Sequence, residues 1–270
     1  MTPDKQLGQH FLTDRNIVQR IVDALDPAPD DVVVEIGAGK GSLTEVLAPR
    51  VGHVIAIERD RRLISELRMR NAECGIDRLS IVQGDALHVD WHALITPHST
   101  LRTPHFKVIG NIPYAITSPL IDKALTPPLP ACIVFLVQAE VADRIAASPG
   151  AKAYGALSVG VQAVCRVEKL FAVRAGAFTP QPKVHSALVR LTPLAQPVVA
   201  PGEIAAFRAF VTACFTRRRK QLRNVVMAAT GRSAAVVTAG LAALGLDPAA
   251  RPERLGPEIF VRLLRWSVGL

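Results

Sequence analysis

The tetrapeptide Asn111-Ile112-Pro113-Tyr114 has the residue types needed to hold a flat base by its amino group. The Asn111 side-chain oxygen and the Ile112 or Pro113 carbonyl can each accept one N–H of an exocyclic amine. The Tyr114 ring can stack on the base, leaving the nitrogen lone pair to attack an electrophile. Phe178, in the loop Phe178-Thr179-Pro180-Gln181-Pro182, can close the other face, because extruded bases are held between aromatic or apolar side chains. The competing reading of Phe178 is a core aromatic that anchors its loop.

Methylation of an amine needs a donor alongside, and three upstream positions can hold one. Glu35-Ile36-Gly37-Ala38-Gly39-Lys40-Gly41 is a glycine-rich turn. Gly37 and Gly39 let the backbone approach a ligand closely, and the helix start that follows offers N–H groups to a carboxylate. The spacing is G-x-G-x-G, which departs from the dinucleotide fingerprint G-x-G-x-x-G. Glu58 can accept both hydroxyls of a ribose. Asp85, followed by Ala86, can accept an adenine amino hydrogen. Taken singly, Glu58 or Asp85 reads equally well as a helix cap or a surface charge. A ligand with a carboxylate, a ribose and an adenine but no required phosphate is S-adenosylmethionine.

These positions need a scaffold that brings them together. Residues 31–36, 54–58, 79–82, 106–109 and 133–137 are short apolar runs that alternate with helix-like stretches. This alternation predicts an α/β fold with a mostly parallel sheet covered by helices, of the Rossmann-like doubly wound kind. Ligands in such folds bind beyond the C-terminal ends of the strands. Gly37, Glu58, Asp85 and Asn111 each fall at one of those ends. Residues 164–173 and 183–191 read as two further strands. Pro193, Pro197 and Pro201 mark a linker, and from 204 onward the pattern is helical. The expected organisation is a catalytic domain over 1–192 and a small all-helical domain over 193–270.

The motif set EIGAGKGSLTEVL, IERD, QGDAL and GNIPYAITSPLI resembles class I methyltransferases that act on rRNA adenine amines. GQHFLTDRNIVQRIV, FTPQPKVHSALVRL and FTRRRKQLRNVV narrow the resemblance to the rRNA adenine dimethylase family. VADRIAASPGAKAYGALSV and the helical tail are similar to its KsgA/RsmA branch, which modifies two adjacent adenosines near the end of small-subunit rRNA. The resemblance spans essentially the whole chain. It implies S-adenosylmethionine as donor, with His10 and Leu12 closing over it. Gly37 would contact its methionine end, Glu58 its ribose, Asp85 its adenine, and Asn111 both donor and target amine; Gly39 and Ala86 belong to the same loops. One position departs from the family pattern, since His10 stands where that segment usually has Asn. An imidazole lacks the paired donor and acceptor of an amide.

Charge points to the partner. The chain carries 32 Lys+Arg against 23 Asp+Glu, a formal net charge of +9. The excess sits beyond residue 192, centred on Arg217, Arg218, Arg219, Lys220 and Arg223. A basic tail of this kind predicts a polyanion, of which nucleic acid is the commonest; the resemblance implies rRNA within an immature small ribosomal subunit, bound by a monomer. The bland alternative is a solvated helix face. No run approaches the ~20 apolar residues of a membrane span, and the start of the chain, with Lys5 as its one cation, has no export pattern. The four cysteines (Cys74, Cys132, Cys165 and Cys214) are widely spaced, as expected of reduced thiols in the cytoplasm. His88 and His92 lie four apart without an evident third ligand, so no metal is expected. Three rival functions share parts of the pattern: a large-subunit rRNA methylase of the macrolide-resistance type, a non-catalytic nucleic-acid-binding relative, and a small-molecule methyltransferase.

Overall fold

The computed structural model describes residues 9–74, 78–98 and 106–269, the side chains of Asn71, Glu73 and Cys74 excepted. The N-terminal tail with Lys5 and the thiol of Cys74 therefore lie outside the described residues. Compactness divides the chain into two units, residues 1–142 with 168–193 and residues 143–167 with 194–270.

In the first unit, β1 (Phe11–Leu12) is followed by α1 (Arg15–Ala24), β2 (Val32–Ile36), α2 (Ser42–Leu47) and β3 (His53–Glu58). Next come α3 (Arg61–Cys74), β4 (Leu79–Gln83), α4 (Trp91–Ile95), β5 (Phe106–Asn111), α5 (Thr117–Ala124) and β6 (Cys132–Gln138). In chain order, helices α6 (Ala139–Ala146) and α7 (Ala156–Gln162), the latter within the second unit, precede β7 (Cys165–Val173), β8 (Phe178–Thr179) and β9 (Ser186–Pro193). Among the described residues seven strands form one sheet in the order β4-β3-β2-β5-β6-β9-β7. The pairs β4–β3, β3–β2, β2–β5 and β5–β6 are parallel, and β9 runs antiparallel to β6. Every residue of β2 is buried, as expected of a strand covered on both faces, which is why Val32-Val33-Val34 does not alternate.

Strand order reverses between β2 and β5, the topological switch point at which such sheets open a crevice. The two strands approach closely there. A Cβ on Gly110 would lie 2.7 Å from the Ile36 carbonyl oxygen, so only glycine fits. Away from the sheet, β1 pairs antiparallel with β8, and α1 starts from Asp14, whose carboxylate accepts from the Asn16 and Ile17 N–H groups.

The second unit adds α8 (Ile204–Phe215), α9 (Leu222–Thr230), α10 (Ala234–Ala243) and α11 (Pro257–Val268). Residues 143–167 cluster with these helices, whereas the sequence expectation cut the chain once, between 192 and 193. Tyr154 accounts for this placement: it is fully buried, donates its hydroxyl to the Leu255 carbonyl at 2.8 Å and meets the Phe215 ring edge-on at 6.2 Å. The Glu203 carboxylate accepts a two-pronged bond from Arg265 at 3.0 and 2.8 Å. Among the described residues no single helix is long and apolar enough to cross a membrane.

Candidate active site

The C-terminal ends of β4, β3, β2 and β5 open onto a pocket lined by Gly37, Glu58, Asp85 and Asn111. The register explains the convergence. Ile36 faces Ile57 on one side and Gly110 on the other, and Glu58 faces Gln83, so the four chain ends leave the sheet side by side.

Glu58 is the most constrained of the four. One carboxylate oxygen accepts from the Gly39 N–H at 2.8 Å, and the other accepts from the Arg59 and Asp60 N–H groups at 2.8 and 2.9 Å. Three backbone donors thus hold an acidic side chain that is only 7% exposed. The glycine turn curls over it with Gly37 at φ +69° and Gly39 at φ +58°. A Cβ on Gly39 would come within 3.4 Å of the Phe11 ring. These features fit S-adenosylmethionine: a rigid carboxylate for vicinal hydroxyls, and a loop whose bare backbone lets a ligand approach.

Below the turn, Glu35 is buried and accepts from the Thr44 hydroxyl at 2.6 Å. Burial pushes its carboxyl up to about 7, with nearby Glu58 adding to the rise. Asp85 accepts from the Leu87 N–H at 2.9 Å on one oxygen, and the Arg59 guanidinium stands 3.4 Å from the other. Asp60 is gripped by the fork of Arg62, which holds its carboxyl down at about 2, and it also accepts from Gln9.

The Asn111 end of the pocket is equally ordered. Asn111 donates its side-chain N–H to the His10 carbonyl at 2.8 Å, so its Oδ1 remains an acceptor in the pocket. The Pro113 carbonyl is already engaged by the Ile116 N–H and the Thr117 hydroxyl. Tyr114 is fixed at both ends of its ring system. Its hydroxyl shares a 2.7 Å hydrogen bond with the fully buried Ser186 at the start of β9, and the His10 ring lies against it at 5.8 Å with 30° between planes. Burial pushes the Tyr114 phenol up. The His10 Nδ1 is 2.8 Å from the Pro180 carbonyl. A carbonyl only accepts, so Nδ1 carries the proton and donates. The His10 ring thus lies between the Tyr114 ring and the Pro180 carbonyl, while its backbone carbonyl accepts from Asn111.

Pocket-lining positions His10, Gly37, Gly39, Glu58, Asp85, Ala86, Asn111, Pro113 and Tyr114 are brought together as expected. Two expected residues are not. Leu12 is 5% and Phe178 2% exposed, and both belong to the hydrophobic core. They are register partners in the β1–β8 pair and share its inward face. The neighbouring Phe11, on the alternate face of β1, lines the pocket instead. Phe178 therefore offers no free ring face to a base, and its core reading holds.

Gln9, Phe11, Arg59, Leu63 and Ser186 supply contacts that residue-type reasoning did not single out. Ser186 had no distinguishing signal, because one serine in a strand-like run reads as a sheet residue. His88 stands in a turn 3.8 Å from Asp85, whereas His92 lies on α4 with Nε2 at 3.0 Å from the Pro128 carbonyl. In the second unit Arg217, Arg218, Arg219 and Lys220 are exposed on the turn after α8, and Arg223 is exposed on α9.

Comparison with known proteins agrees with this geometry. The family model described as ribosomal RNA adenine dimethylase matches residues 2–244. A ribosomal RNA small subunit methyltransferase A of Hahella chejuensis is 42% identical over 260 residues, 96% of this chain and 90% of that protein. The protein of the same name from Geobacter metallireducens is 41% identical over 268 residues, covering 98% and 96%. Among solved structures, a dimethyladenosine transferase from Plasmodium falciparum superposes with a TM-score of 0.80 at 29% identity, over 94% of this chain and 96% of that one. The 23S rRNA methyltransferase ErmE superposes with a TM-score of 0.69 at 28% identity, over 94% and 98%. A family model that spans most of the chain, together with relatives about 40% identical over nearly its whole length, leads to one conclusion: the chain belongs to the ribosomal RNA adenine dimethylase family.

Proposed function

We propose that this protein, acting as a monomer in the cytoplasm, dimethylates the N6 amines of two adjacent adenosines near the 3′ end of small-subunit rRNA. The donor is S-adenosylmethionine and the substrate is rRNA within an immature small subunit. The observation that carries the reading is the orientation of Asn111, whose N–H is committed to His10 and whose oxygen is left for an amine in the donor pocket. The names of the relatives at about 40% identity support the small subunit as substrate. The helical unit, with Arg217, Arg218, Arg219, Lys220 and Arg223, supplies the RNA contact in this reading.

The donor, when bound, supplies a methyl group already activated on a sulfonium. The residues of the chain then have three tasks. Glu58 and Asp85 fix the nucleoside end, and the Gly37 turn fixes the amino-acid end. Asn111 Oδ1 accepts one amine N–H. The Ile112 carbonyl takes the second, because the Pro113 carbonyl is occupied by its own turn. These acceptors stabilise the positive charge that develops on nitrogen during attack. Tyr114, braced by Ser186 and His10, holds one face of the base. Alignment of the reacting atoms is worth up to roughly 7–11 kcal/mol, so no strong base is required; the spare proton leaves after attack.

Asn111→Ala should lower methyl transfer by about a hundredfold or more while small-subunit binding stays measurable. Full activity in that variant, followed by transfer of labelled methyl groups, would remove the cradle. The resemblance to ErmE keeps a large-subunit substrate as the second reading. Incubation with unmethylated small and large subunits, followed by mapping of the labelled nucleotide, separates the two.

A further inference from the structure

The loop between β4 and α4 carries Asp85 into the pocket, and its peptide groups face two ways. The His88 and Val89 N–H groups donate to the Asp85 carbonyl at 2.8 and 3.0 Å, and the Leu87 N–H donates to its carboxylate at 2.9 Å. In a trans peptide the N–H and C=O point opposite ways, so the Ala86 and Leu87 carbonyls turn away from Asp85. Two side chains collect them from behind. The Trp91 indole N–H donates to the Ala86 carbonyl at 2.9 Å. The Lys123 ammonium donates to the Leu87 carbonyl at 2.9 Å and to the Val89 carbonyl as well, and it stands 5.3 Å over the Trp91 ring.

Lys123 belongs to the last turn of α5, where a lysine ordinarily meets the free carbonyls of its own helix or water. Here it serves a different loop. Burial draws its ammonium below the ordinary lysine range, while the Asp90 and Asp85 carboxylates pull it back up. An apolar chain of the same length would pack as well against Trp91 but would leave both carbonyls without that donor. The helix behind Lys123 is a firm support, because Leu120, Ile121 and Ala124 are at most 2% exposed. At the other end of α5, the Thr117 hydroxyl lies 3.4 Å from the Pro113 carbonyl and 3.3 Å from that of Tyr114. One short helix thus joins the loop that carries Asp85 to the turn that carries Asn111 and Tyr114.

We infer that Lys123 is a positioning residue for the methyl donor: it clamps the 85–90 loop from behind so that the Asp85 carboxylate is presented to the adenine amine. Lys123 is not among the residues that line the pocket, and it acts through Asp85. Its route to that carboxylate is short. The peptide whose N–H fixes one Asp85 oxygen is the same peptide whose carbonyl is held by Trp91, and Trp91 lies under Lys123. The clamp also makes the donor's adenine and the target amine dependent on one helix. The inference deepens the proposed function and rests on its assignment of Asp85 to the nucleoside end of the donor.

The experiment measures, by calorimetry on the full chain, binding of S-adenosylhomocysteine and of S-inosylhomocysteine. The first is the donor after loss of its methyl group, and the second has an oxygen in place of the adenine amine. The unaltered protein should favour the adenine ligand by about tenfold or more, as expected of one hydrogen bond to a charged group. Lys123→Met should weaken the adenine ligand by about tenfold and leave the inosine ligand within about twofold, so that the preference collapses. Trp91→Phe removes the indole N–H without changing charge, and should lower the preference by about threefold. General damage to the fold would instead weaken both ligands alike. Equal weakening of the two ligands in Lys123→Met, or an unchanged preference there, would overturn the clamp. If Lys123→Met does not fold, the preference of Trp91→Phe decides in the same way. Failure of the underlying assignment looks different: the unaltered protein would then show no preference, or Asp85→Ala would keep it.

Discussion

Glu35 is a buried carboxyl group beneath the glycine turn. One oxygen accepts from Thr44, and the other has no hydrogen-bond partner among the described residues. Its folded-state pKa of about 7 lies above the ordinary 4.5. Below about 4.5 both folded and unfolded chains hold the proton, and the pH-dependent contribution vanishes. As pH rises towards 7 the unfolded chain ionises first, so stability is lost through that window. Between pH 4 and pH 8 the loss is about 3 kcal/mol. Glu35→Gln cannot ionise, so its stability relative to the native chain should grow by that amount over the same range. Denaturant midpoints at several pH values check this, and a pH-independent difference would refute it. The placement of Glu58, Asp85 and Asn111 in one pocket was legible at this scale because each pairs a chemically specific side chain with a strand end. The inward facing of the Leu12 and Phe178 side chains was not legible, because the facing of a two-residue strand depends on its pairing, which no local pattern carries.

At the scale of elements, the site is the meeting of four strand ends, and Gly110 sets how closely two of them meet. A methyl group there would press on the Ile36 carbonyl, which is backbone in the middle of the sheet and cannot yield. Gly110→Ala should therefore cost about 1–3 kcal/mol of stability. It should also lower methyl transfer, because the next residue is Asn111. Chemical denaturation and turnover measured on the same preparation test both effects. The parallel strands were readable from sequence because strands buried on both faces are continuous apolar runs. The short pairing of β1 with β8 was not, since two residues leave no periodicity to detect. Helix α1 likewise went unassigned, although Asp14 ahead of an apolar-periodic stretch was a usable start signal.

At the scale of the whole molecule, the linker at the prolines marks one boundary, but the helical unit also draws in residues 143–167. A chain ending at Pro193 would keep that segment and lose what covers it. Tyr154 would be left without Leu255 and Phe215, exposing a large aromatic and an unpaired hydroxyl. Limited proteolysis of such a truncation should cut first within 143–167, whereas the full chain resists there; equal resistance would show that the segment stands alone. This insertion was invisible in the sequence because its partners lie some hundred residues away, beyond any local pattern. Ser186 was hidden for the same reason, and its position has a further consequence. The hydroxyl that steadies Tyr114 comes from β9, the antiparallel strand, and not from the parallel core that carries the donor loops. An engineer who transplanted Asn111-Ile112-Pro113-Tyr114 onto a parallel sheet lacking that strand would import an amine holder with a loose lid. The portable unit of this chemistry is two segments far apart in the chain, and neither is sufficient as a cassette.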